Sequence, residues 1–365
     1  MRIAVFYNLS FGGAKRVVYE QVKGLVNIGH TIDIYTTDSE EDIFSPHRFS
    51  TNTYSYKIPN LNLLNRIEKD FFNFNSLSKV HKKIANDIDS RSYDLVLVHP
   101  DKLTQAPYLL RHLKSPSYYY CQEPLRIVYD YSLRFKDKVF IGKKIYEEAT
   151  RLIRKKIDRE NTRSATYTIA SCYHVRERMI EAYEVYPYVN YPGIDSNILE
   201  PKKVKKKNQV LFIGGRNVVY DGYDLAEKAV SLISKDIRPE LVVVSWQKNN
   251  KNRLSENELA KLYSESIVTL CVSRFETFGL TPLESMACGT PVIATKVSGH
   301  RETVKDLKTG YFVEYDSQQI ADTITNFIKN PKKRKEMGEN GRNYVVKEWR
   351  WNKRIIELEK ILTKN

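Results

Sequence analysis

Cysteine is scarce in this chain of 365 residues: Cys121, Cys172, Cys271 and Cys288 are widely spaced and lie mostly in apolar runs. That pattern gives neither a disulfide framework nor a thiolate metal cluster, so buried free thiols are expected. Long apolar runs are missing as well. Nothing approaches the roughly 18 apolar residues of a spanning helix, and the short apolar run Ile3 to Tyr7 after Arg2 is too brief for a signal-peptide core. Also absent are low-complexity segments and internal repeats of about 20 to 50 residues. A chain of this kind is expected to fold in a reducing cytoplasm.

What is present in excess is positive charge. Lys and Arg number 59 against 44 Asp and Glu, a formal net charge of +15. Such a balance calls for an anionic partner or reflects a solvated basic surface. No segment resembles a nucleic-acid-binding module, and the 25 tyrosines are spread along the chain instead of forming a stacking platform, so nucleic acid is not expected. Lys143 to Ile157 alternates basic residues with Ile145, Leu152, Ile153 and Ile157. It reads either as a helix lying on an anionic membrane surface or as an ordinary surface helix.

Apolar, strand-like runs recur between helical stretches at Ile3–Tyr7, Ile32–Thr36, Leu95–Val98, Ser117–Cys121, Tyr167–Ala170, Val210–Ile213, Leu241–Ser245, Ile267–Val272, Val292–Ala294 and Gly310–Val313. This alternation predicts an α/β fold with parallel sheets covered on both faces. The length favours two domains. Between them, Asn197 to Gln209 holds Pro201 and the lysine-rich run Lys202–Lys207 with no apolar period, and reads as a solvated linker. The expected division is residues 1–195, a linker 196–209, and 210–346, with a terminal amphipathic helix over about 347–365. Two Rossmann-like domains joined in this way leave an interdomain cleft at the carboxyl ends of their sheets.

The densest motif runs from Arg274 to Thr295 and places Glu276 and Glu284 around a Gly279 turn. The predicted helix starts near Thr281, with Pro282 at its first position. The amides of Phe278, Gly279 and Leu280 then sit at a positive helix end that favours a phosphate. Thr281-Pro-Leu-Glu284 is also a T-x-x-E capping box, which explains Glu284 without any ligand. It explains neither Glu276 nor the Ala287-Cys-Gly-Thr-Pro291 turn.

Together these residues resemble the retaining glycosyltransferases of family 4, marked by E-x7-E and a following A-x-G-x-P turn. The resemblance covers nearly the whole chain. It takes in the first strand with Gly12-Gly13, Tyr191-Pro-Gly-Ile-Asp195, Phe212-Ile-Gly-Gly-Arg216, Gly299-His-Arg-Glu302 and Thr309-Gly310. Tyr118-Tyr-Tyr-Cys-Gln-Glu-Pro-Leu-Arg126 is similar to the Y-C-H-T-P-x-R segment of one subgroup.

The resemblance implies the GT-B fold, in which the terminal helix crosses back to the first domain. It also implies transfer of a hexose-type sugar, with retention, from a UDP- or GDP-linked donor to a glycan or lipid-linked acceptor. Cell-surface polysaccharide or glycoconjugate synthesis at the inner membrane face is the expected setting. No cofactor or metal is expected, because the aspartate triplet Asp87-Ile-Asp89 reads as a solvated loop. Donor-binding roles pass to Gly12, Gly13, Arg216, Phe278, Gly279, Leu280, Glu284 and Glu302, and the sugar-contacting role passes to Glu276.

Two positions depart from the family pattern. Gln122 stands where the subgroup has histidine, and it can hydrogen-bond but not carry a proton charge. Glu123 beside it is a candidate acceptor-side base, and His99 is a second candidate or a satisfied strand-end histidine. Asp221 stands where a phosphate-binding lysine is usual, so it points away, or Lys248 or Lys251 substitutes, or donor binding is weakened. A GT-B disaccharide phosphorylase or synthase, or a non-catalytic sugar-nucleotide-binding scaffold, is the alternative.

Overall fold

Buried β-branched and aromatic runs organise two separate parallel sheets in the computed structural model, which describes residues 1–37, 41–59, 66–130, 141–216, 220–245 and 254–364. One compact unit comprises Met1–Tyr191 and Ile355–Asn365, and the other Pro192–Arg354.

In the first unit the strands are β1 (Arg2–Asn8), β2 (Thr31–Thr36), β3 (Asn52–Ser55), β4 (Leu95–Asp101), β5 (Ser117–Cys121), β6 (Tyr167–Ala170) and β7 (Tyr188–Val189). They pair in parallel in the order β3-β2-β1-β4-β5-β6-β7. The helices are α1 (Gly13–Asn27), α2 (Arg66–Asp89), α3 (Arg126–Tyr129), α4 (Ile141–Arg163) and α5 (Tyr173–Tyr183). Every residue of β4 and β5 is buried. Such continuous burial is what a parallel sheet with both faces covered requires. The sheet grows away from β1 in both directions, so its switch point lies between β1 and β4, where the loop carrying Gly12 and Gly13 leaves the sheet.

The second unit holds β8 (Gln209–Ile213), β9 (Glu240–Val244), β10 (Val268–Cys271), β11 (Val292–Thr295) and β12 (Gly310–Val313). Their order is β12-β11-β10-β8-β9, again parallel throughout, with the switch between β8 and β10. Its helices are α6 (Tyr223–Leu232), α7 (Glu256–Glu265), α8 (Leu280–Ala287), α9 (His300–Thr303), α10 (Ser317–Lys329) and α11 (Pro331–Glu348). A last helix, α12 (Trp351–Leu362), carries Ile355 onward into the first unit. There Gly24 of α1 makes room for it, since a Cβ at Gly24 would lie 2.4 Å from Ile355 Cγ1. His30 Nε2 also lies 3.0 Å from Glu359 Oε1.

All ten expected strands form, and all four cysteines are free and buried. Two further strands, β3 and β7, were not legible. β3 is mostly exposed and β7 has two residues, so neither carries an apolar pattern, and each closes an edge of the sheet. The terminal pattern expected as one helix is two. It breaks at Trp349 and Arg350, and Ile356 faces solvent at 47% exposure.

Two further expectations are corrected by packing. Of the lysine-rich run, Lys203, Lys205 and Lys207 are exposed as expected, but Lys206 is held against the second unit. Lys206 Nζ donates to Ser266 O at 2.6 Å and Thr290 Oγ1 at 2.8 Å, and burial lowers its pKa to about 8. Asp87 and Asp89 are not loop residues either, since both belong to α2. Asp87 accepts from Tyr56 Oη at 2.6 Å, and Asp89 accepts from the Lys114 and Ser115 amides, each at 3.0 Å.

Asp158 on α4 is buried, and burial raises its pKa from 3.8 to about 7 against the opposing bonds from Tyr183 Oη and the Ala106 amide. The folded chain therefore holds a proton that the unfolded chain releases between pH 3.8 and about 7, so this group's contribution to stability falls as pH rises through that window. The expected slope is about 1.4 kcal/mol per pH unit. Chemical denaturation of wild type and Asp158→Asn across the window should show the difference between them changing with that sign, and a pH-independent difference would refute it.

Candidate active site

In the second unit the chain leaves β10 through Arg274–Phe278 and enters α8 at Gly279. Gly279 is the N-cap with φ 93°, a left-handed conformation that favours glycine, and no side chain caps the helix. The capping-box reading of Thr281 and Glu284 is therefore corrected. Because α8 starts at Leu280, Thr281 lies inside its first turn, and Glu284 is too far along to reach an N-cap amide.

Glu284 is buried at 7% exposure and accepts from Tyr263 Oη at 2.9 Å. Burial, and then the charge of Glu284, pushes the Tyr263 hydroxyl well above its ordinary pKa, so it remains a donor. Pro282 has no amide proton, which leaves the Gly279, Leu280 and Thr281 amides at the positive end of α8.

The preceding loop is shaped by a close backbone crossing. A Cβ at Gly299 would fall 2.3 Å from Phe278 Cα and O, and the Gly299 amide donates to Glu276 O at 3.0 Å. A Cβ at Gly279 would stand 3.0 Å from His300 Cδ2 and 3.6 Å from Glu276 Cγ, so the Glu276 side chain rises beside the helix start. Phe278 is buried, its ring 5.6 Å from that of Trp349. Glu302 lies in the one-turn helix α9, where its amide donates to Gly299 O at 3.0 Å. Glu276, Phe278, Gly279, Leu280, Glu284 and Glu302 are thus gathered around one strand-to-helix junction.

His300 was not picked out from the sequence. Its Nδ1 lies 3.0 Å from Thr295 O, an acceptor, so Nδ1 carries the ring proton. Burial lowers its pKa to about 4, which keeps it neutral.

The Gly214-Gly215-Arg216 loop leaves the neighbouring strand β8. Arg216 is exposed, with its guanidinium 5.3 Å over the Tyr223 ring. Asp221 does not point away from this loop: its Oδ2 accepts from the Gly215 amide at 2.6 Å. A carboxylate of the chain itself therefore occupies one of the amides of this loop. Lys248 and Lys251 lie outside the described residues.

The remaining candidates belong to the first unit. Gly12 is the N-cap of α1, with φ 155°, and Gly13 is its first residue. Gln122 Nε2 donates to Ala14 O at 3.0 Å, joining the loop after β5 to the start of α1. The Glu123 carbonyl accepts from Gln105 Nε2 at 2.8 Å. His99 is not a satisfied strand-end histidine. It lies inside β4, fully buried, neither ring nitrogen has a hydrogen-bond partner among the described residues, and burial lowers its pKa to about 3. Among the described residues no group of His, Cys, Asp or Glu could hold a metal ion, and no helix is long and apolar enough to cross a membrane.

Residues 249–344, which contain this junction, match the family described as Glycosyl transferases group 1. The chain is 36% identical over 107 residues to N-acetyl-alpha-D-glucosaminyl L-malate synthase of Bacillus anthracis, a match that covers 29% of this chain and 28% of that protein. Sucrose-phosphate synthase from Thermosynechococcus elongatus superposes with a TM-score of 0.72 at 17% identity, covering 100% of this chain and 98% of the other. The Anabaena protein Alr3699/HepE, solved in complex with UDP and glucose, gives 0.71 at 13% identity with full coverage of both chains. The fold is GT-B.

Within this GT-B chain, Asp221 has a role that its neighbours define. Replacing it with Ala orphans the Gly215 amide and should cost about 1 kcal/mol in chemical denaturation, whereas Asp221→Asn, which keeps an acceptor, should cost less than half of that. Equal losses would show that the bond contributes nothing.

Proposed function

We propose that this chain is a retaining glycosyltransferase of family 4. It moves a hexose-type sugar from a UDP- or GDP-linked donor to a glycan or lipid-linked acceptor. The observation that carries the reading is the uncapped start of α8, with Glu276 just before it and Glu284 one turn inside. A nucleoside diphosphate satisfies the amides and the positive helix end, while the two carboxylates accept bonds from hydroxyls. The group 1 match over this region and the UDP-bound GT-B neighbour support it.

In this reading the barrier falls chiefly by stabilising the departing diphosphate. Arg216 supplies a planar cation, braced by the Tyr223 ring, and α8 supplies its amides. Glu276 positions the transferred sugar and Glu284 the ribose, while Phe278, Gly279, Leu280 and Glu302 shape the donor pocket. On the first unit Gly12 and Gly13 present backbone to the substrate. Gln122 has one amide hydrogen committed to Ala14 O, and its side-chain carbonyl can accept from a sugar hydroxyl. Glu123 is assigned to the acceptor side. The attacking hydroxyl approaches on the face of the departing phosphate, which takes up its proton.

A non-catalytic sugar-nucleotide-binding scaffold is the second reading, favoured by the Asp221 carboxylate at Gly215. Nucleotide release from UDP-, GDP- and dTDP-sugars assayed side by side separates the two. Glu276→Gln should lower turnover by about a hundredfold or more while leaving nucleoside diphosphate affinity within twofold. Glu284→Gln, which preserves the acceptor for Tyr263, should weaken that affinity by roughly fivefold. Binding without release in the wild type would favour the scaffold.

Contact with the inner face of the cell membrane is supported by α4, where Ile145 and Leu152, seven residues apart, are each 65% exposed. Ile153 is exposed beside them, as are Lys155 and Lys156. An exposed apolar stripe flanked by lysines suits an anionic bilayer surface. Sedimentation with anionic vesicles should exceed that with neutral ones, and Leu152→Glu should abolish the excess; equal sedimentation with both would refute the contact.

A further inference from the structure

The tyrosines are spread in the sequence but not in the fold. At the β7 edge of the first sheet, Tyr167, Tyr173, Tyr186 and Tyr188 line one open groove of about 620 Å³. Tyr173 and Tyr186 are 54% and 74% exposed, far more than a tyrosine needs to wet its hydroxyl. Between them lies Arg176, one turn after Tyr173 on α5, with its guanidinium 5.5 Å from the Tyr173 ring and 4.1 Å from the Tyr186 ring. It donates to Tyr186 Oη and has no carboxylate partner among the described residues. No acidic residue lines the groove, and Lys364 Nζ stands 5.6 Å from the Tyr188 ring.

This combination selects a ligand class. Exposed tyrosine rings offer flat apolar faces with a polar edge, which match the C–H faces and rimming hydroxyls of pyranose rings. A guanidinium immobilised between two rings is already in position, so little side-chain entropy is lost when its remaining donors meet an anion. The volume lies within the range of small-molecule pockets, about 300–1,000 Å³. A purely apolar occupant would leave the guanidinium's remaining donors unused, and a bare anion would leave the rings uncovered.

We infer that this groove is a second glycan site, which holds an acidic oligosaccharide with its rings on Tyr173 and Tyr186 and its anionic group on Arg176. The site is built entirely from the first unit and does not depend on transfer chemistry at α8. On a glycosyltransferase it would retain an acidic polysaccharide beside the enzyme between transfers, and on a scaffold it would still bind.

Saturation-transfer NMR and calorimetry on the full chain test it, with a hyaluronan tetrasaccharide as acidic probe and maltotetraose as neutral control. The hyaluronan probe should bind, and more tightly than maltotetraose. Tyr173→Ala and Tyr186→Ala should each weaken it about tenfold, while Tyr186→Phe, which keeps the ring, should retain most of the binding. Arg176→Gln should erase the preference for the acidic probe. Because both tyrosines are largely exposed, unchanged thermal midpoints and unchanged UDP affinity should accompany these losses.

Absence of binding, binding that survives the double tyrosine variant, or equal affinity for both probes would overturn the inference. Probe binding without nucleotide release would sink only the transferase reading. Release without probe binding would sink only this one.

Discussion

The geometry of the second unit's site depends on one backbone crossing, that of Gly299 against Phe278. With a Cβ position only 2.3 Å from Phe278 Cα and O, no side chain fits at Gly299 without parting the two loops. The crossing brings the Gly299 amide to Glu276 O, sets the start of α9 against the start of α8, and leaves Gly279 beside His300. Glu276 therefore owes its place to a contact 23 residues further on in the chain. Substituting Gly299 would displace the carboxylate and the helix end together.

That dependence explains what was legible beforehand. Residue types with a local signature were readable: β-branched runs for the central strands, glycines for the turns, and Glu276 and Glu284 at their spacing. The failures were contacts between distant segments. Glu284 fits a capping box by local spacing, yet the helix starts two residues earlier and the side chain turns to Tyr263, which no period connects to it. The lysine-rich run looked solvated because a lysine carries the same charge wherever it sits. Only the packed chain shows Lys206 half-buried with its Nζ on Ser266 and Thr290. Edge strands β3 and β7 lack the two-sided burial that makes a parallel strand readable.

The tyrosines illustrate the same point in the opposite direction. Their spread along the chain argued against any stacking platform, but β6, the start of α5 and the segment entering β7 bring four of them together at one edge of the sheet. Elsewhere the residue serves the core. Tyr118, Tyr119 and Tyr120 are all but fully buried in β5, with Tyr120 Oη donating to Asn190 O at 2.6 Å. Where a tyrosine is buried, its ring fills volume and its hydroxyl usually finds a partner, as Tyr120 does. Where it is left out at 54% or 74% exposure beside an arginine with no carboxylate partner among the described residues, packing no longer accounts for it.

Electrostatics make the two loops of the second unit's site unequal. At the β8 loop Asp221 holds the Gly215 amide at 2.6 Å, so a negative charge is built into a turn whose fold would otherwise suit an anion. At the β10 loop the start of α8 has no side-chain cap and no acidic residue in its first turn. An anion at the β8 loop meets a carboxylate already seated on a backbone amide, whereas at the start of α8 it meets uncapped amides, with the Glu276 carboxylate to one side. The exposed Arg216, stacked on Tyr223 instead of paired with Asp221, remains the one cation of the β8 loop among its described residues. The loop thus carries a carboxylate seated on its backbone and a guanidinium stacked on a ring, and in the proposed reading the two act in opposite senses on a phosphate. A neutral residue at position 221 would remove one side of that opposition and leave the freed Gly215 amide and Arg216 acting in the same sense.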